Sequence, residues 1–257
     1  MSEDALIGHT GFVGGNLLGQ HQFGATYNSK NIEDIAGRGF DLIVCSGAPA
    51  AKWKANAEPE ADRDNIYRLI RALDKAEAKK FVLISTVDVF LNPMNVDEES
   101  ATPTAGLHAY GAHRRELEQH VAERFDTLIV RLPALYGNGL KKNAIFDLLN
   151  NNDVQKIDSR GVFQFYCVDR LWHDIEAALA RKLTLVHLVP EPVSLADVAR
   201  EAFDVEFTNE IGHTPVRYDV HTKYAEVFGG TAPYIEPRTR ELASIGKFVE
   251  RERARRV

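Results

Sequence analysis

The sequence predicts an α/β fold in which helices cover a doubly wound parallel sheet. The first observation is a series of short, nearly continuous apolar runs, which is the pattern of strands buried on both faces. The second is that helical patterns separate these runs, and strand–helix–strand repeats build parallel sheets. The predicted strands lie at residues 5–7, 41–45, 80–85 and 127–131.

The spacing of apolar residues places the helices between the strands. Between the second and third runs, Ile66, Leu69, Ile70 and Leu73 follow the i, i+3, i+4, i+7 pattern of a helix that packs on a sheet. A further unit is predicted after residue 160, with a strand at 163–168, a helix that carries Leu171, Ile175 and Leu179, and a strand at 183–189.

The character of the sequence changes after Pro190 and Pro192. Ser194 can cap a helix that runs through Phe203, and a final helix follows a polar stretch. We therefore expect residues 1–160 to form the main domain, with its sheet completed by about 161–190. Residues 191–257 are expected to form a small C-terminal region.

Composition and charge restrict the class of protein. The chain has 257 residues, 44% of them hydrophobic, and 37 acidic side chains against 31 Lys and Arg. This composition is typical of a globular domain, and the net negative charge argues against nucleic-acid binding. Acidic residues at the start and the absence of a long apolar run predict no secretion signal, no membrane association and a cytoplasmic location. No metal-ligand spacing is found among the cysteines and histidines, so we assign no metal.

A glycine-rich turn follows the first predicted strand. Gly8, Gly11 and Gly14 are spaced three and three, and a helix begins after them. Such a turn lets the pyrophosphate of a dinucleotide approach backbone N–H groups, which predicts an NAD or NADP site that includes Thr10, Phe12 and Val13. The alternative is a glycine-rich turn that binds no ligand.

The residues after the second predicted strand bear on the choice of cofactor. A dinucleotide site selective for NAD places an acidic residue about 20 residues after the first glycine. Here the segment contains Asn28, Ser29 and Lys30 and no carboxylate. Ser29 and Lys30 can hold a 2′-phosphate, so NADP is favoured over NAD. The alternative is that Lys30 lies in a solvated loop without a ligand.

Three later segments, taken with the glycine turn, resemble the extended short-chain dehydrogenase/reductase family. They are residues 84–90, 110–114 and 131–137, and they occur in the family's order. The resemblance implies a Rossmann-type fold, a nicotinamide cofactor and a nucleotide sugar or related polar metabolite as substrate. It also implies that Asn65 and Pro133 contact the cofactor and that the C-terminal region binds the substrate.

The resemblance assigns roles to five residues. Tyr110 is the acid/base, Thr86 hydrogen-bonds the reacting oxygen, and Ser85 is its neighbour and substitute. The family places a lysine four residues after the tyrosine, where its charge lowers the phenol pKa; here that position holds Arg114. We expect Arg114 to lower the Tyr110 pKa in the same way. Asp88 stands where the dehydratases of the family carry an acid; the alternatives are an ordinary helix-start role for Tyr110 and a backbone-bonding role for Asp88.

Two further departures shape the expected function. Gln164 stands where many relatives carry a diphosphate-binding arginine, and Val87 replaces the acid that would complete a carboxylate pair with Asp88. Dehydration is therefore disfavoured, and we expect epimerisation or net reduction or oxidation by hydride transfer. The alternative function is a non-catalytic dinucleotide-binding sensor or scaffold. The sequence leaves the oligomeric state open, a homodimer included.

Overall fold

The computed structural model describes residues 3–255. In this range the helices are α1 (Phe12–Leu18), α2 (Lys52–Ala57), α3 (Pro59–Leu73), α4 (Ala109–Arg124), α5 (Ala144–Asn150), α6 (Leu171–Ala180), α7 (Leu195–Phe203) and α8 (Arg238–Ala254). The strands are β1 (Asp4–Ile7), β2 (Ala25–Tyr27), β3 (Gly39–Cys45), β4 (Glu77–Thr86), β5 (Met94–Val96), β6 (Thr127–Leu132), β7 (Ala134–Tyr136), β8 (Val162–Phe163), β9 (Phe165–Cys167), β10 (Leu185–His187), β11 (Val193–Ser194) and β12 (Asp219–Val220).

Six strands form the central sheet, in the order β10-β6-β4-β3-β1-β2. β1 pairs in parallel with β2 on one side and with β3 on the other, and β3 pairs in parallel with β4. The chain runs from β1 outward to β2 and then returns to the other side of β1. This reversal makes the carboxyl ends of β1 and β3 the topological switch point, where open α/β sheets bind ligands. The predicted fold class is confirmed.

The chain divides into two compact units, each made of separate stretches of sequence. The first contains the residues up to 92, 100–131 and 171–186, and the second contains 93–99, 132–170 and the residues from 187 onward. The predicted division differs from these units at 93–99, 132–170 and 187–190. The physical reason is strand pairing, because β5 pairs with β12 and β7 with β9 rather than with the central sheet.

The first unit has a core that agrees with the predicted helix pattern. On α3, Ile66 and Leu73 are completely buried and Leu69 and Ile70 nearly so, and they pack with strand residues such as Ile43 in one apolar cluster. Every residue of β6 is buried. Strands that are buried on both faces need continuous apolar sequence, which is why these runs predicted the strands.

The second unit contains short strands and three helices. Apolar residues of α5, α7 and α8 form one cluster with residues of β7 and β9. Ser194 caps α7, since its side chain accepts a hydrogen bond from the Asp197 backbone, as predicted. No helix within residues 3–255 combines the length and the apolar character that a membrane crossing requires.

The predicted strand at residues 163–168 is wrong in one respect. The segment is divided into β8, which pairs antiparallel with β11, and β9, which pairs with β7. Gln164 lies between them, and its buried side chain bonds the Pro190 carbonyl at 2.7 Å and both backbone groups of Val220 at 2.8 and 2.9 Å. Because β8 and β9 pair with different strands, the segment does not form one ladder.

Candidate active site

The glycine turn connects β1 to α1 by close backbone packing. Gly8 has φ +89°, and a Cβ there would stand 2.5 Å from the Ser46 carbonyl oxygen. A Cβ at Gly14 would stand 2.2 Å from the carbonyl oxygen of Gly8 itself. Both positions therefore need glycine so that the turn can fold.

Gly11 differs from the other two glycines of the turn. Its N–H donates to Gly8 O at 2.9 Å, and a Cβ there would meet only that oxygen, at 3.3 Å. Gly11 and Thr10 are exposed, while Phe12 and Val13 are partly buried at the start of α1. No side chain caps this first turn. The space above Gly11 is thus open to a ligand, which is what a pyrophosphate cradle requires.

The end of β2 lies beside the glycine turn. His9 Nδ1 lies 2.9 Å from the Tyr27 carbonyl, and its other ring nitrogen lies 3.5 Å from the Asn28 amide. Asn28 Oδ1 accepts the Lys30 backbone N–H at 2.8 Å, which shapes the loop. Ser29 and Lys30 are exposed. Their hydroxyl and ammonium are available to a phosphate next to the turn.

Tyr110 and Thr86 meet at the carboxyl end of β4. The Thr86 side chain is near enough to Tyr110 to lower its pKa, and Thr86 Oγ1 accepts the Asp88 N–H at 3.1 Å. Burial raises the pKa of Tyr110 above 10, and the Arg114 charge and the Thr86 side chain oppose this without overcoming it. Arg114 therefore acts on the Tyr110 pKa in the expected direction, but the net pKa is raised rather than lowered. Desolvation of the phenolate outweighs the cation.

Three residues fix the first turn of α4. His108 is the N-cap, and its Nδ1 accepts the Gly111 N–H at 3.0 Å. Asn56 Oδ1, from α2, accepts the Tyr110 N–H at 3.0 Å. A Cβ at Gly111 would stand 2.2 Å from the Asp88 carbonyl oxygen, so α4 packs directly on the segment after β4. Neither Asn56 nor His108 was assigned a role from the sequence. For His108, its position just before the helix pattern was a signal for an N-cap.

Arg114 is buried and engaged by partners other than a ligand. Its two terminal nitrogens bind the Asp62 carboxylate of α3, and one of them also bonds the Pro49 carbonyl. His113 Nδ1 binds the same Asp62 carboxylate at 2.7 Å. The guanidinium carbon lies 4.0 Å from the centre of the Tyr110 ring, over its face. Burial alone would raise the pKa of Asp62, but the hydrogen bonds from Arg114 and His113 lower it.

Asp88 lies next to the hydroxyl pair and binds a lysine that sequence reasoning missed. Lys52 Nζ, from α2, contacts Asp88 Oδ1 at 2.7 Å. The lysine side chain is 39% exposed and the aspartate 18%, so the pair lies at the surface of the site. Burial and the Lys52 charge lower the pKa of His108, while Asp88 raises it. Lys52, Asp88 and His108 therefore form one electrostatic cluster beside Tyr110.

Ser85 does not serve as a substitute for Thr86. Successive residues of a strand point to opposite faces, and the Ser85 hydroxyl donates to Glu118 Oε1 at 2.6 Å in the buried interior. Arg131 binds both oxygens of that carboxylate, at 2.9 and 2.7 Å. The adjacent serine and threonine are thus divided between the core and the candidate site.

Three further predicted residues lie elsewhere. Asn65 is on the exposed face of α3, where its amide donates to the Ala61 carbonyl of the same helix at 2.8 Å. Asp62, one turn earlier, is the residue of α3 that reaches Arg114. Pro133 lies between β6 and β7 and belongs to the second unit, as does Gln164 with its backbone partners.

Comparisons with known proteins place the chain among enzymes that act with nicotinamide cofactors. The family model for the NAD dependent epimerase/dehydratase family matches residues 21–156. No curated protein matches the sequence.

Solved structures share the fold at low sequence identity. The UDP-glucose 4-epimerase of Thermotoga maritima, solved with UDP-glucose, has a TM-score of 0.73 at 13% identity and covers 99% of each chain. The dTDP-4-dehydrorhamnose reductase of Yersinia enterocolitica has a TM-score of 0.73 at 14% identity, over 97% of this chain and 99% of its own. RMD from Pseudomonas aeruginosa, complexed with NADPH, has a TM-score of 0.69 at 14% identity, over 98% and 100%.

Proposed function

The chain belongs to the NAD dependent epimerase/dehydratase family, and on that premise we propose that it transfers hydride to or from a carbinol or ketone carbon of a nucleotide sugar or related polar metabolite. The observation that carries this proposal is the packing of the start of α4, which contains Tyr110, on the segment that follows Thr86 at the carboxyl end of β4: a Cβ at Gly111 would stand 2.2 Å from the Asp88 carbonyl oxygen. The glycine turn lies at the same end of the sheet, after β1.

The residues of the first unit fit a dinucleotide. Gly11 leaves open space over an uncapped first turn, and Gly8 and Gly14 allow the packing that holds the turn there. The Nε of Arg114 is buried and has no partner within residues 3–255, so it can donate to a ribose hydroxyl. When bound, the nicotinamide supplies or accepts the hydride.

The two hydroxyls divide the work on the substrate oxygen. Tyr110 is protonated at neutral pH because burial raises its pKa above 10. It can therefore donate a proton to a carbonyl oxygen, which favours the reductive direction. Thr86 orients that oxygen by a second hydrogen bond. Asp88 without an acidic neighbour offers no carboxylate pair for elimination, in keeping with hydride transfer rather than dehydration.

Turnover of sugar nucleotides tests the reaction. Wild-type protein is incubated with UDP- and dTDP-linked hexoses and 4-keto sugars in the presence of NAD, NADP or their reduced forms, and products are separated by chromatography. A substrate-stoichiometric change in reduced cofactor indicates net reduction or oxidation, and an interconversion without such a change indicates epimerisation. Tyr110→Phe should lower the rate at least about 100-fold while cofactor still binds.

Tyr67→Phe is the matched control, because Tyr67 lies on the surface of α3 and its hydroxyl bonds only Arg63. Its rate should equal that of the wild type. Equal rates for Tyr110→Phe and the wild type would refute the proposed role of Tyr110.

NADP is the proposed cofactor, because Ser29 and Lys30 are exposed beside the turn and the segment has no carboxylate. Titration calorimetry should show tighter binding of NADPH than of NADH. Lys30→Ala should weaken NADPH alone, by about 1.5–3 kcal/mol for one charge-assisted hydrogen bond. Lys79→Ala is the control, since Lys79 is exposed and binds Asp41. A preference for NADH would overturn the assignment.

A non-catalytic dinucleotide-binding sensor or scaffold is the second candidate. Two observations favour it: Arg114 is held by Asp62 and Pro49, and Gln164 is satisfied by backbone groups. This candidate predicts that cofactor binds and that no sugar nucleotide is turned over by the wild type.

A further inference from the structure

We propose that Lys52 is a positioning residue for the reaction: its ammonium, 2.7 Å from Asp88 Oδ1, holds that carboxylate beside Tyr110 and Thr86 and balances its charge. The inference rests on the proposed function, because it concerns the same tyrosine. It assigns a role to a lysine 58 positions before the tyrosine in sequence, outside the tyrosine motif.

Arg114, four residues after the tyrosine, already has a counterion. Arg114 is buried, and both of its terminal nitrogens bind Asp62. The positive charge of Arg114 and the negative charge of Asp62 act on Tyr110 in opposite directions. Asp62 therefore offsets part of the effect of Arg114 on the phenol.

Asp88 also acts on the Tyr110 hydroxyl. Its backbone N–H donates to Thr86 Oγ1 at 3.1 Å, and its charge raises the pKa of Tyr110. Left alone, this carboxylate would oppose any phenolate that forms during the reaction. An ammonium at 2.7 Å from Asp88 offsets that field.

Helix α2 is positioned to keep Lys52 beside Asp88. Lys52 and Asn56 are four residues apart and therefore share one face of α2. Asn56 accepts the Tyr110 backbone N–H at 3.0 Å, while Lys52 reaches Asp88. The same helix face thus holds the backbone of the tyrosine and the charge beside its hydroxyl.

Charged groups from four elements surround the phenol and its neighbours. They are Lys52 on α2, Asp62 on α3, Asp88 after β4, and His108, His113 and Arg114 at the start of α4. Arg114 and His113 both bind Asp62. Burial and the Lys52 charge lower the pKa of His108. Lys52 and Asp88 form the other pair of opposite charges in this group.

Titration of Tyr110 in the ligand-free protein tests the inference directly. Tyrosine labelled with ¹³C at Cζ reports each phenol by NMR, and Tyr110→Phe assigns the signal. Lys52→Met should raise the Tyr110 pKa by about 1 pH unit, since the Asp88 carboxylate loses the ammonium that lies 2.7 Å from it. Lys52→Arg should keep the wild-type value. The double variant Lys52→Met with Asp88→Asn should return close to it, because both charges are removed together.

Lys54→Met is the matched control, since Lys54 lies on the same helix, is 59% exposed and faces Glu58. It should leave the Tyr110 pKa unchanged. An equal Tyr110 pKa in Lys52→Met and the wild type, with the fold intact by circular dichroism, overturns the inference. So does a shift that persists in the double variant, because the effect would then not act through Asp88.

The reaction gives a second readout. With a substrate found as described above, Lys52→Met should lower the rate at pH 7 about tenfold and move its alkaline inflection upward by about 1 pH unit, with KM for the cofactor unchanged. The proposed function fails if wild-type protein turns over no substrate. The charge pairing fails if the phenol titration is unaltered, so the two failures are distinguishable.

Discussion

Each of the two compact units completely buries one glutamate, and the two glutamates are treated in opposite ways. Glu118, on α4 in the first unit, receives two hydrogen bonds from Arg131, one from Arg115 and one from Ser85. Glu241, on α8 in the second unit, accepts the Phe165 N–H at 2.7 Å through one oxygen. Its other oxygen has no partner within residues 3–255.

The comparison shows two solutions to the cost of burying a carboxyl group. Pairing with a guanidinium keeps the charge and makes the site depend on the partner. Without a cation, burial raises the pKa of Glu241 well above 4.5, so the group stays protonated into the range where an exposed glutamate is ionised. The first unit is therefore sensitive to loss of a side chain, and the second is sensitive to pH.

The largest expected effect is the loss of the guanidinium in the first unit. Arg131→Met leaves the Glu118 carboxylate buried without its main partner, which should cost about 3–5 kcal/mol in the free energy of unfolding. Urea denaturation at pH 7 measures this. Arg124→Met is the control, because Arg124 binds the exposed Glu77 and should cost about 1 kcal/mol or less. Similar losses in the two variants would contradict the assigned importance of the buried pair.

In the second unit, replacing Glu241 should change how stability depends on pH. Because its folded pKa is raised, its contribution is fully present below the unfolded pKa of about 4.5 and is lost as pH rises through the folded pKa. Glu241→Gln removes this dependence and can keep the bond from Phe165. The variant should gain stability relative to the wild type as pH rises, by at most about 1.4 kcal/mol per pH unit.

Unfolding by urea at pH 4.5 and at pH 8 measures the difference. The stability of Glu241→Gln minus that of the wild type should be larger at pH 8. A difference that is equal at the two pH values would mean that Glu241 ionises normally.

A smaller effect separates the structural from the catalytic role of Ser85. Ser85→Ala removes one hydrogen bond to a buried carboxylate and should cost about 1.5–3 kcal/mol in the free energy of unfolding. Its turnover rate, measured where the variant is fully folded, should match the wild type, whereas Thr86→Val should lose activity. A large fall in the turnover rate of Ser85→Ala with unchanged stability would mean that Ser85 acts in the candidate active site.

Most of the fold could be predicted because its determinants are local. The buried strands are continuous apolar runs, and the helix that contains Ile66 and Leu73 has a regular apolar stripe. The segment around Gln164 could not be predicted in the same way. Its division into two strands depends on pairing with β11 and β7, which lie elsewhere in the sequence.

The candidate site was predictable only where a motif carries it. Gly8, Gly11 and Gly14 are defined by spacing, and Tyr110 by its motif, and the structure places Tyr110 against Thr86. The ion pair between Lys52 and Asp88 joins residues 36 apart on different elements, so nothing in the sequence near either residue indicates it. The contact between Arg114 and Asp62 was not predicted, because the two residues are 52 positions apart in sequence.

The smallest expected effect concerns an exposed polar side chain that bonds its own helix. Asn65 is exposed on α3 and donates to the Ala61 carbonyl of that helix. Because alanine is the better helix former, Asn65→Ala should change the free energy of unfolding by about 0.5 kcal/mol, in the stabilising direction. Affinity for NADPH, measured by calorimetry, should stay the same. Asp62→Asn, one turn earlier on the same helix, provides the contrast, because it removes the counterion of a buried arginine and should destabilise the fold strongly. If Asn65→Ala weakens NADPH binding, the side chain must leave its own helix when the cofactor binds.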